Sequence, residues 1–143
     1  MVQHITHSGL QLAIVIRAGY HKDGIEFFTD DNSSQQLGYM NRPKGYVIAP
    51  HRHNIVPREV HLTQEVLFIK SGKVRVDFFD DEQTYIESTI LNKGDVVLLA
   101  DGGHGFTMLE ASEMIEVKQG PYCGEQDKVR FDPVPQEKVI LKP

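Results

Sequence analysis

The sequence contains a single cysteine, Cys123, so an intrachain disulfide is excluded, which is compatible with a reducing cytosol. No apolar run approaches the ~20 residues that a bilayer-spanning helix needs. The N-terminal stretch MVQHITHSGL lacks the basic-then-apolar layout of a secretory signal. Positive charge is also in short supply, with fifteen basic against twenty acidic side chains and a formal net charge of −5. There is no basic stripe and no lysine cluster beside aromatics, so affinity for phosphate backbones is not expected. These absences predict a cytoplasmic protein with neither nucleic acid nor membrane as partner. Long helical periodicity, internal repeats and low-complexity tracts are missing as well.

What remains is ordinary globular composition, 40% apolar and 24% charged over 143 residues, which suits one domain with a real core. Short runs rich in Val, Ile, Phe and Tyr, bounded by Gly, Asp, Asn or Pro, recur along the chain and predict an all-β sandwich or barrel. The candidate strands cover residues 12–18, 25–30, 35–40, 46–53, 60–70, 73–80, 84–91, 95–100, 103–109 and 113–119. Ser71-Gly72 lies between two such runs and predicts a tight hairpin. In the following run Val74, Val76 and Phe78 alternate with Lys73, Arg75 and Asp77, the pattern of a half-buried strand. After Gln119 the chain turns polar and turn-rich. Residues 120–143 are therefore expected to wrap the surface of a single domain spanning 1–143.

Strand alternation also says which side chains share a face. An extended 46–53 places Val47, Ala49, His51 and His53 together, with the apolar pair marking that face as inward. Glu65 shares a face with His61, Leu67 and Ile69, and His104 with Phe106 and Met108. A buried carboxylate without a partner is costly, and buried imidazoles need partners of their own. A divalent cation held by His51, His53, Glu65 and His104 satisfies all four and leaves open positions for water or substrate.

These residues resemble the motifs of the cupins. Gly45, five residues and His51-Arg52-His53 match the opening of the family's first motif, and Glu65, six residues and Gly72 match its close. Gly94, followed by five residues and "ADGGH" ending at His104, is similar to the second motif. The resemblance covers about residues 36–119. It implies a double-stranded β-helix, the jelly-roll barrel, with the metal held by the two histidines of the first motif, its glutamate and the histidine of the second. The chain departs from the pattern in four places. Residues 54–64 separate His53 from Glu65, where the family has three or four; Ala100 stands where a proline is usual; the spacing before His104 is one residue short; and Met108 stands where an asparagine closes the motif. The insert opens a second register, in which His61 serves as the ligand four residues before Glu65 and Glu59 takes the place of the first histidine.

The resemblance implies a small divalent-metal-dependent enzyme of dioxygenase, decarboxylase or isomerase type acting on a small oxygen-rich substrate. Manganese or iron is the first expectation for the ion, with nickel, zinc and cobalt also suited to imidazole and carboxylate donors. His61, Arg58, Phe106 and Met108 are candidates for contacting the substrate or supporting the ligands. Two alternatives stay open. One is a non-catalytic module binding a sugar or small effector, linked to polysaccharide biosynthesis. The other is a metal-free sugar-nucleotide isomerase or epimerase. The apolar N-terminal runs, together with the frequency of dimers among small cupins, predict a homodimer.

Overall fold

β-Branched and aromatic residues at alternate positions fit a pleated surface with one face buried. In the computed structural model, which describes residues 1–143, such runs form β1 (Val2–His7), β2 (Leu10–Ile16), β3 (Gly24–Phe27), β4 (Gly38–Asn41), β5 (Glu65–Ser71), β6 (Lys73–Phe79), β7 (Tyr85–Asn92), β8 (Val96–Leu99), β9 (Gly103–Met108) and β10 (Glu113–Lys118). All pairings between them are antiparallel. Sheet A runs β1-β2-β8-β5-β10, sheet B is the separate β3–β4 hairpin, and sheet C runs β7-β6-β9. The chain is all-β, but the sheets do not close into a barrel. No helix is long and apolar enough to cross a membrane.

The core lies between sheets A and C. Ile5, Ala13, Val15, Leu67, Ile69, Val97 and Leu99 from sheet A meet Val74, Val76, Phe78 and Leu91 from sheet C. Each Val, Leu, Ile or Phe fully buried there contributes roughly 1.5–3 kcal/mol. A second apolar layer covers the outer face of sheet A, where Ile14, Ile16 and Leu98 pack with Leu37, Tyr20 and Phe28. Strand β2 is thus buried on both faces. Its apolar character is satisfied within one chain.

The predicted Ser71-Gly72 hairpin does not form. β5 pairs with β8 and β10, while β6 pairs with β7 and β9. The chain instead turns a corner there and passes from sheet A to sheet C. Gly72 makes the corner with φ +84°, and a side chain in its place would run into Ala111 and Ser112. The strand following the same route back is β9–β10, so Val74 faces Met108 below the corner and Ser71 faces Glu113 above it. β7–β8 bends across the same corner on the other side, through Asn92–Asp95.

Strand β6 differs from its predicted half-buried character, because its polar face is covered too. Arg75 and Asp77 are only 5% and 3% exposed. Arg75 donates from Nε and Nη2 to Asp77 (2.8 and 3.1 Å), from Nη1 to Gln136 (2.6 Å) and from Nη2 to Thr107 (3.2 Å). Ser88 Oγ donates to Asp77 and lies 2.7 Å from Tyr85 Oη. The C-terminal residues lie across this network. Ser88 and Leu141 form a parallel bridge, with Ser88 N–H donating to the Ile140 carbonyl and Lys142 N–H donating to that of Ser88. Phe131 stacks edge-on against Phe79 at 5.0 Å, and Val134 is buried.

The segment predicted as a strand over 46–53 is irregular and exposed throughout, as is almost all of 42–62. Val47 is 79% exposed and Ile55 is fully so. Proline at 43, 50 and 57 removes backbone donors at intervals across the segment, and a ladder cannot run through such gaps. The strand predicted over 60–70 accordingly begins only at Glu65. At the N-terminus, β1 over Val2–His7 is an addition to the predicted strands and pairs with β2.

Candidate functional site

Glu65 opens β5, on the face that carries Leu67 and Ile69 into the core. His104 stands in β9 opposite Phe78 of β6, on the face shared with the half-buried Phe106. The two side chains come from different sheets and meet at the mouth of the sandwich, with His104 Nε2 3.2 Å from Glu65 Oε2. Their side chains are 28% and 15% exposed. Lys118, at the end of β10, lies directly across the ladder from Glu65, and its Nζ is 3.8 Å from Glu65 Oε1. His104 packs edge-on against Phe106 at 5.6 Å.

The hydrogen bond from His104 holds the Glu65 carboxyl below its ordinary range. Burial opposes this, and the charges of His104, Lys118 and Lys128 reinforce it. Glu65 is therefore an ionised, partly buried acceptor near neutral pH. A cleft of about 90 Å³ opens beside His104, lined by Leu62, Thr63, Asp81 and Asp101 among others.

The sandwich is open on this side. Met114, Glu116 and Lys118 of β10 face the same way as Ile69, Leu67 and Glu65, yet Glu116 is 43% exposed. Strand β9 pairs only with β6 and leaves its other edge free.

The predicted ligand set is thus brought together only in part. Glu65 and His104 meet. His51 and His53 sit on the exposed 42–62 segment, where their rings stack edge-on at 5.4 Å and His51 Nδ1 lies 3.0 Å from the carbonyl of Ala49. They do not point inward, because the strand that was to aim them is absent. His61 lies on the same segment, 3.4 Å from Glu59, and Arg58 is exposed beside it. Met108 is 46% exposed at the far end of β9. Nowhere in the chain do three His, Cys, Asp or Glu side chains converge to share a metal ion. The Glu65–His104 pair has the donor chemistry for half of such a set, and the loop histidines, as placed, do not complete it.

Sequence reasoning missed Lys118, Thr63 and Asp127. Thr63 Oγ1 donates to Asp127 Oδ1 at 2.7 Å, tying the end of the loop to the turn after β10. That bond, opposed by burial and helped by Cys123 and the nearby lysines, holds the Asp127 carboxyl below its usual value. Lys118 becomes visible only once β10 is registered against β5, which alternation alone does not give.

No family model, no curated protein and no solved structure matches the chain.

Proposed function

We propose that the chain is a small divalent-metal-binding protein of the cupin type, acting as a metal-dependent enzyme on a small oxygen-rich substrate. The observation that carries this reading is the contact between Glu65 and His104 across two sheets at the open side of the sandwich. The bent ribbon β5–β6, flanked by β7–β8 and β9–β10, supports a jelly-roll assignment.

In this reading Glu65 and His104 form the fixed half of the site, and His51 and His53 supply the other half when the loop closes. The loop enters β5 at Glu65 itself, so one of its ends is anchored at the site. The segment from His53 to Glu65, at up to ~3.3 Å per residue, is long enough to fold back onto it. Glu65 contributes an anionic oxygen and His104 an imidazole nitrogen. Lys118 offsets excess negative charge and faces the open mouth, where it can hold an anionic part of the substrate. When bound, manganese, iron, nickel, zinc or cobalt would polarise a substrate oxygen.

Limited trypsin digestion tests the reading. Arg52 and Arg58 lie in the exposed loop and are open to cleavage. Addition of one of these metals to metal-free protein should slow cutting at both, and Glu65→Ala or His104→Ala should abolish that protection. The reading fails if no metal alters the cleavage pattern and none binds near one equivalent by metal analysis. A second reading, a metal-free module binding a sugar or small effector, draws on the lack of convergence among the four ligand-type side chains. Thermal stabilisation by sugars in metal-free protein, without turnover, favours it.

A further inference from the structure

Strand β10 is the outermost strand of sheet A and pairs only with β5. Gln119 N–H donates to the Gln64 carbonyl, so Gln119, Val117 and Ile115 turn their backbone groups toward β5. Those of Met114, Glu116 and Lys118 therefore point away and meet no strand. Residues Ile115 to Lys118 are exposed without a break. On the outer face of the sheet, Ile115 lies opposite Phe68 and Val117 opposite Val66. On that face Ile14, Ile16 and Leu98 are covered by Leu37, Tyr20 and Phe28, whereas Ile115 and Val117 are 55% and 57% exposed. A free backbone edge thus borders an apolar patch that the chain leaves bare.

We propose that β10 is the docking edge for a second copy of this chain, whose own β10 adds antiparallel across a two-fold axis and joins the two five-stranded sheets into one. Charged side chains usually bar such addition at an edge; here they select its register. A two-fold perpendicular to the sheet keeps each face on its own side, so it centres on a residue of β10. Centred on Glu116, it would set two glutamates face to face, which is destabilising. Centred on Ile115, it would oppose Glu116 to the partner's Met114, and the next pair is lost because the chain turns the corner at Ser112. Centred on Val117, it opposes Glu116 to the partner's Lys118 and Lys118 to the partner's Glu116. Val117 then faces the partner's Val117, and the apolar row from Val66 continues across the axis. Lys118 keeps its contacts with Glu65 and Glu116, since an ammonium has three donors and the partner's Glu116 approaches from the free edge. Each copy so sets a carboxylate beside the Lys118 that neighbours the other's Glu65–His104 pair. The axis lies at β10 and not at β2, which is already buried on both faces. The assembly needs no metal and stands apart from the function proposed above.

Sedimentation velocity of metal-free protein up to about 0.2 mM, a range that covers small and weak interfaces, should show a monomer–dimer equilibrium. Glu116→Lys and Lys118→Glu should each raise the dissociation constant about tenfold, because like charges then face each other across the axis. Mixing the two variants should restore dimers as heterodimers, a rescue that contacts within one chain cannot produce. Disulfide formation reads the register, in a Cys123→Ser background that removes the native thiol. Val117→Cys brings two Cα atoms to roughly 4.5 Å, within disulfide reach, and should cross-link on mild oxidation. Ile115→Cys lies roughly 13 Å from its copy by the strand rise and should not. A monomer throughout, the absence of heterodimer rescue, or equal cross-linking at 115 and 117 overturns the proposal. If Lys118→Glu does not fold by circular dichroism, the two exposed cysteine positions decide. Because no metal is present, this outcome is independent of the trypsin result.

Discussion

His104 Nε2 lies 3.2 Å from Glu65 Oε2, joining strand β9 of one sheet to strand β5 of the other. The contact is more than a surface pair, because Glu65 is mostly shielded and keeps its charge through that bond.

The bond makes stability depend on pH in a defined direction. The folded-state pKa of Glu65 is lowered from its ordinary value of 4.5. Such a group adds stability that is fully present above the unfolded value and is lost as pH falls through the folded one. Urea midpoints measured from pH 7 down to pH 2 should therefore drop below pH 4.5. Glu65→Gln should flatten part of that acid limb while leaving the slope m unchanged. An identical acid limb in the variant would remove the role assigned to the bond.

The corner at Gly72 is expected to tolerate no side chain. Gly72→Ala combines a positive φ with collisions against Ala111 and Ser112. Left-handed backbone in a non-glycine residue costs on the order of 1–3 kcal/mol, and the steric conflict adds to it. A lowered denaturant midpoint at constant m would register the loss; an unchanged midpoint would mean that the corner relaxes.

Asp77 is the hub of the covered face of sheet C, accepting from Arg75 and Ser88. Removing it leaves Arg75 buried with much of its charge unmatched. Asp77→Ala should cost about 3–5 kcal/mol, as for other broken buried pairs. Replacing Arg75 and Asp77 together by apolar residues of similar volume should recover much of the loss. Chemical denaturation of the two variants measures both quantities.

Metal binding separates the two halves of the candidate site. His51→Ala or His53→Ala should weaken affinity for manganese or zinc while leaving the stability of the metal-free protein within about 0.5 kcal/mol of the parent, because both side chains are exposed. His104→Ala should weaken affinity and also lower the metal-free midpoint. Calorimetric titration and thermal melts on the same samples give the comparison, and equal stability losses at all three positions would contradict it.

Most strands were legible in the sequence because alternation such as Val74, Val76 and Phe78 is a local signal, read without knowing any partner. Pairing is not local, so the corner at Gly72 looked like a hairpin: a glycine with positive φ serves either purpose, and only the sheet on each side distinguishes them. The burial of Arg75 and Asp77 escaped for a similar reason, since their cover comes from residues 136–142 at the far end of the chain. At the site, Glu65 and His104 were found because each follows apolar neighbours into the core. His51 and His53 share the same alternation with Val47 and Ala49, but the prolines at 43, 50 and 57 deny that segment the backbone bonds that would turn alternation into direction.

The parallel bridge between Ser88 and Leu141 has a practical side. Strand β7 would otherwise end sheet C with unpaired amides and carbonyls, an invitation to strand addition from a neighbouring molecule. The last residues act as a built-in guard rail against self-association, so clones trimmed before Ile140 should precipitate at concentrations the full chain withstands.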